Sequence, residues 1–241
     1  MTNKNYREYL KRNSFVRPPT VSGEWWAPTG KSRGLRHFKF ASKGSSRGVT
    51  VVDGVAVESE ARAERKGMLV LRARPDTLRV VEQSPQVKYV DQDGQVRIHT
   101  FDLQVHRTGG TKVAVDFKPE ALVKRSGIRA LHALLARQIS PRDANDLLVM
   151  TERMYTAADH YNADLMHAVT RHHYPEDDEA MLRLIGRMKG PAPIADLVFR
   201  SRINGYGFNA VVRAIAAGRL RMTERRRIED GAIVAPVREE G

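Results

Sequence analysis

Between residues 58 and 150 the spacing of apolar residues changes period and then changes back. That switching restricts the folds open to this chain more than any other feature. From Glu58 to about Arg72, the residues Ala61, Glu64, Met68 and Leu71 recur at helical spacing, and Pro75-Asp76 ends the helix. Strand-like segments follow at 78–81, 87–90, 97–105 and 112–117. Turns at Asp91-Gln92-Asp93-Gly94 and Thr108-Gly109-Gly110 separate the last three. Helical spacing then returns over 123–138, with Ile128, Leu131, Leu134 and Leu135 on one side, and Pro141 breaks it. A last apolar run at 147–150 reads as a buried parallel strand. The order helix, strands, helix, strand predicts an α/β core with a mixed sheet flanked by helices.

Outside this region the sequence changes character. Residues 1–50 form a basic arm without sustained period, carrying the aromatic residues Trp25, Trp26, Phe38 and Phe40. A hairpin with Asp53-Gly54 at its turn is predicted to link the arm to the core over 51–175. From about Thr151 the chain reads as helical, through 161–172 and an acidic turn over 174–179 that can cap a helix at 181–188, with Lys189-Gly190-Pro191-Ala192-Pro193 as the candidate linker. Helices at 194–200 and 208–217 and a basic hairpin-like tail over 218–237 make 176–241 a candidate winged-helix-like domain.

The composition excludes several kinds of chemistry. The 241 residues include no cysteine, so disulfides, thiolate zinc sites and cysteine nucleophiles are ruled out. Lack of cysteine, of an apolar leader and of any membrane-length apolar run leads to the expectation of a cytoplasmic protein. The formal net charge of +13 points to a polyanionic partner, because a cation placed on a phosphate releases a condensed counterion. Lys31, Arg33, Arg36 and Lys39 in the arm, and Arg213, Arg221, Arg225, Arg226 and Arg227 near the C-terminus, are the candidate DNA contacts.

The chemistry centres on Thr100-Phe101-Asp102 and Val115-Asp116-Phe117-Lys118. On adjacent antiparallel strands, Asp102 and Asp116 can converge at one edge of the sheet, while Asp116 and Lys118, two apart, share a face. Paired carboxylates bind hard divalent cations such as Mg²⁺ through oxygen, and the carbonyl of Phe117 is a further candidate ligand. A lysine beside them can orient an attacking water. Both acids lie in apolar strands, where a charge needs a reason. His167, His172 and His173 match no common zinc spacing and read as a hydrated helix end.

The stretches Glu64-Arg65-Lys66-Gly67-Met68-Leu69-Val70-Leu71, Val80-Val81-Glu82-Gln83-Ser84-Pro85, Thr100-Phe101-Asp102 and Val115-Asp116-Phe117-Lys118-Pro119 together resemble the TnsA endonuclease family. The resemblance extends over roughly residues 55–235, through Leu147-Leu148-Val149-Met150-Thr151-Glu152 and Ala214-Ile215-Ala216-Ala217-Gly218-Arg219-Leu220. In that family an acid on the first helix precedes the Gln of a Glu-Gln-Pro-like motif by about nineteen residues, the offset between Glu64 and Gln83 here. The resemblance implies a PD-(D/E)xK nuclease fold, with Glu64, Asp102 and Asp116 as metal ligands and Lys118 as the catalytic lysine. It also implies Mg²⁺, with Mn²⁺ as a substitute, and cleavage at transposon ends beside a DDE-type transposase. This chain departs from the pattern at Phe101 before Asp102, at Ser84 between Gln83 and Pro85, and in having Asp at 116. Glu60 lies one turn from Glu64, so either can be the first-helix ligand. Two other readings stand beside this one: a stand-alone phage, repair or restriction-type nuclease, and a DNA-binding or architectural protein with an inactive core.

Overall fold

The structure is a computed structural model that describes residue 34 and residues 48–52, 55–59, 62–171, 174–203 and 205–238. It divides between Thr156 and Ala157 into two compact units. In the first, β1 (Gly48–Val52) and β2 (Val55–Ser59) pair antiparallel up to Val52 opposite Val55. The turn expected at Asp53-Gly54 lies outside the described residues. Helix α1 (Arg62–Arg72) has Glu64 in its first turn and Arg72 in its last, both matched to the helix dipole. It buries Met68, Leu69 and Leu71. The helix ends ahead of Pro75, where the Thr77 hydroxyl donates to the Leu71 carbonyl at 2.7 Å. Ser59 belongs to β2 and Glu58 pairs across it with Val49, so the helix begins later than the period suggests.

The strands β3 (Thr77–Glu82), β4 (Gln86–Val90), β5 (Val96–Thr100), β6 (Leu103–Arg107) and β7 (Lys112–Phe117) come next. The single strand predicted over 97–105 is in fact two. Among the described residues β5 pairs only with β4, in a separate hairpin, and β6 enters the main sheet. Phe101 and Asp102 make the transfer between sheets. The Asp91 carboxylate shapes the hairpin turn, accepting from the amides of Asp93 and Gln95 and pairing with Arg97. An isolated hairpin is marginal in water. Here the Gln138 amide holds it through both the N–H and the C=O of Val90, each at 2.9 Å.

The predicted helix over 123–138 is broken at Gly127 into α2 (Glu120–Ser126) and α3 (Ile128–Leu135). Gly127 has φ of 66°, a left-handed conformation that a residue with a Cβ adopts only at a cost. Strand β8 (Asp146–Met150) then runs parallel to β7, giving a mixed sheet ordered β3-β6-β7-β8 and flanked by helices. Alternation along β7 divides its side chains between two faces. The Phe117 ring lies so close to Gly67 that a Cβ there would come within 2.3 Å of it, which places α1 over the Phe117 face. Ala114, on the opposite face, packs with Leu135 of α3, Val87 and Phe101.

The second unit holds α4 (Ala157–Thr170), α5 (Pro175–Gly186), β9 (Ala192–Pro193), α6 (Ile194–Ser201), α7 (Gly207–Ala216), β10 (Leu220–Met222) and β11 (Ile233–Pro236). Proline at the first position of α5 and Glu176, Asp177 and Asp178 in its first turn favour that helix start. The three strands form an antiparallel sheet ordered β10-β11-β9. Helices α4, α5 and α6 all pack on α7, which is buried along nearly its whole length. Two boundaries therefore differ from expectation. α4 belongs to this unit because Leu165 and Val169 join its core. The proposed linker at 189–193 is part of the unit's sheet, since Ala192 pairs with Val234 and Pro193 with Ile233.

Candidate active site

Asp102 lies in the gap between β5 and β6, at the end of the main sheet. One of its oxygens accepts the Phe117 amide at 2.8 Å, and its own carbonyl accepts the Gln83 amide at 2.8 Å. Gln83 has φ of 47°, a sparsely populated conformation for a residue with a side chain. Burial raises the Asp102 carboxyl to about 7; the Phe117 amide and Lys118 oppose the shift, and the charges of Asp116 and Glu64 reinforce it. All three charged partners predicted from sequence thus act on this one carboxyl. Glu64 stands in the first turn of α1, over the Phe117 face of the sheet, and Asp116 belongs to the other face.

Asp116 is 4% exposed, and its environment was not foreseen. Its Oδ2 is bonded to Nε2 of His99, on β5, at 2.8 Å, and to Nε2 of His132, on α3, at 2.7 Å. Burial pushes the Asp116 carboxyl up, but the bonds from His132 and His99 outweigh it and hold the group below the usual carboxylate range. Phe101, fully buried, sets a T-shaped contact against each imidazole, with centroids 4.6 Å from His99 and 5.6 Å from His132. The Lys118 amide continues the ladder to the Met150 carbonyl, and its ammonium makes no ion pair among the described residues.

No family model matches the chain, and no curated protein is detectably similar to it.

Carboxylate oxygens are donors of the kind that a hard divalent cation takes, and a largely buried carboxyl near other carboxylates is relieved when a cation binds. Yet Glu64, Asp102 and Asp116 do not close into one ligand cluster. Among the described residues, the group of three side chains with ligand atoms within 4.8 Å of one another is His99, Asp116 and His132. Phe117, expected to lend its carbonyl, supplies its amide to Asp102 and its ring to the packing against Gly67. Glu60, the other first-helix candidate, lies outside the described residues, as do His172 and His173. His132 carried a signal in the sequence, falling four residues after Ile128 and three before Leu135 on the apolar face of its helix. His99 carried none, because Val96, Arg97 and Ile98 before it on the strand are all exposed and mark no buried face.

The DNA-contact candidates fare unevenly. Lys31, Arg33, Arg36 and Lys39 lie outside the described residues. Arg213 is 7% exposed and packs over the Tyr174 ring, and its guanidinium meets Asp178 at 2.7 Å, which removes it from any phosphate surface. Arg225 pairs with Asp159, Arg226 with Glu229, and Arg227 lies over the Tyr161 ring. Such exposed pairs contribute little to stability. Arg221 is exposed on β10.

Proposed function

We propose that the protein is a metal-dependent DNA endonuclease with a PD-(D/E)xK-like core, acting as a TnsA-like end-cutting subunit beside a DDE-type transposase. The observation that carries this reading is the placing of the Asp102 carboxylate on the Phe117 amide, at 2.8 Å, between Asp116 and Lys118 at the end of the sheet. The order of elements supports it: a helix bearing an acid, three antiparallel strands, a helical crossover and a parallel strand. The net charge of +13 supports a polyanionic substrate.

In this reading Asp102 and Asp116, with Glu64 drawn in from α1, would hold a divalent ion, which would supply positive charge for the scissile phosphate and the leaving oxygen. The Phe117 amide holds Asp102 in position, and Phe101 fixes the rings that flank Asp116. Lys118 donates to the attacking water, or balances charge on the phosphate as attack proceeds. In the second unit, α5, β9, α6, α7, β10 and β11 follow one another with β11 between its two partners, an order that supports a winged-helix reading. With α7 enclosed, contact with DNA falls to the arginines around β10.

The test is nicking of supercoiled plasmid with Mg²⁺ or Mn²⁺. Asp102→Ala and Lys118→Ala are each expected to lower the rate by at least about a hundredfold while the fold persists. Cleavage at the wild-type rate in either folded variant rejects the assignment.

A further inference from the structure

The nuclease reading leaves the two imidazoles at Asp116 without a role. We propose that His99, Asp116 and His132 form a binding site for one first-row transition cation of the Mn²⁺, Fe²⁺, Co²⁺ or Zn²⁺ class, held by two imidazole nitrogens and a carboxylate oxygen. The three ligands come from three elements, β5, β7 and α3, and their ligand atoms lie within 4.8 Å of one another. Both Nε2 atoms approach the same oxygen, at 2.8 and 2.7 Å. Hydrogen bonding alone is served as well by dividing two donors between the two carboxylate oxygens, whereas convergence on one aims three lone pairs at one region. Neighbouring ligands of an ion with bonds of about 2.1 Å stand roughly 3 Å apart, so each nitrogen must draw back from the shared oxygen by a few tenths of an ångström as the ion enters.

The surroundings suit a cation site. His132 and Asp116 have side chains only 9% and 6% exposed and His99 only 18%, which shields the site without closing it. Phe101 sets an edge-on contact against each ring, which limits their rotation. The donors also select the class of ion. Imidazole nitrogen suits borderline transition cations, whereas Mg²⁺ prefers oxygen and gives up water reluctantly. Three protein ligands leave positions open for water or a phosphate oxygen. Binding requires each Nε2 to be unprotonated, so the ion replaces the hydrogen bonds now seen. The site shares Asp116 with the nuclease reading but does not depend on it; if both hold, the working ion is a transition cation rather than Mg²⁺.

The experiment titrates the chelator-treated, full-length protein with Co²⁺ in excess Mg²⁺ and follows the visible absorption of bound Co²⁺. Wild type is expected to show saturable bands that one equivalent of Zn²⁺ abolishes. His99→Ala, His99→Gln and His132→Ala are each expected to weaken binding by about tenfold or more. Circular dichroism establishes which variants fold, and the two at the partly exposed His99 decide the matter if His132→Ala does not. Absence of the bands in wild type, or undiminished bands in the folded variants, overturns the proposal. Plasmid nicking separates the two readings. Co²⁺ bound at this site with no cleavage under any cation rejects only the nuclease. Cleavage in Mg²⁺ with no Co²⁺ bound rejects only this site.

Discussion

A carboxyl group at Asp102 shares its end of the sheet with Asp116 and Glu64, and its proton is correspondingly hard to remove. Burial, joined by those two charges, raises the group from 3.8 to about 7. Between pH 4 and 7 the metal-free folded chain therefore keeps a proton that the unfolded chain has lost, and stability falls as pH rises across that window. A shift of this size is worth at most about 4 kcal/mol. Asp116 does not cancel the effect, because its carboxyl is lowered and its contribution is lost only below the ordinary carboxylate range. Urea denaturation in chelator at pH 5 and pH 7.5 is expected to show the loss, and Asp102→Asn to flatten it. His106, held below its ordinary value by burial, works against the trend in wild type, so an equal pH dependence in wild type and Asp102→Asn is the outcome that contradicts this environment for Asp102. Asp102, Asp116 and Lys118 were legible in the sequence because charge in an apolar strand is conspicuous. His99 and His132 were not picked out, because their meeting depends on a hairpin and a helix folding onto one face of the sheet. No spacing along the chain encodes that meeting.

At the scale of elements, the helix, the main strands and the final parallel strand follow the period of the sequence, and the breaks between them do not. The transfer at Phe101 and Asp102 was hidden because β5 and β6 both alternate and no glycine or proline separates them. The break at Gly127 had a visible cause, but the apolar stripe of Ile128, Leu131 and Leu135 outweighed it. The contact that sets the height of α1 over the sheet is Gly67 on Phe117. In an exposed helix, Gly→Ala gains about 1 kcal/mol. Here the added Cβ would stand 2.3 Å from a ring carbon, and either the ring or α1 must move. Overpacking of this kind costs about 1–3 kcal/mol. Gly67→Ala is therefore expected to destabilise by roughly 0–2 kcal/mol net and, by shifting Glu64, to slow cleavage more than about tenfold. A Gly67→Ala protein that is more stable and fully active means that α1 has room above the sheet.

The whole molecule is two compact units, and the basic excess that suggested a nucleic-acid partner is spent differently at different arginines. Arg213 is a structural cation: removing it leaves Asp178 at a largely buried site, so Arg213→Ala is expected to cost about 2 kcal/mol. Arg221, exposed on β10, is expected to leave stability within about 0.5 kcal/mol when replaced by Ala, and to reduce the salt slope of DNA binding by about one. An unchanged slope would show that Arg221 faces solvent in the complex. The division between the units makes a sharper claim. Sequence placed the boundary after residue 175, where acidic residues begin; the structure places it between Thr156 and Ala157. The difference is α4, which supplies Leu165 and Val169 to the core around α7. Its Asn162 also ties down the tail, donating to the Arg226 carbonyl and accepting the Ile228 amide, each at 2.8 Å. Burying each of those apolar side chains is worth about 1.5–3 kcal/mol, a large share of what a unit this small can hold in reserve. A fragment of residues 157–241 is therefore expected to melt cooperatively by circular dichroism. A fragment of residues 176–241, with one side of α7 uncovered, is expected to lose helix gradually and bind a hydrophobic dye. Equally sharp melting of the shorter fragment would return the boundary to where the sequence placed it.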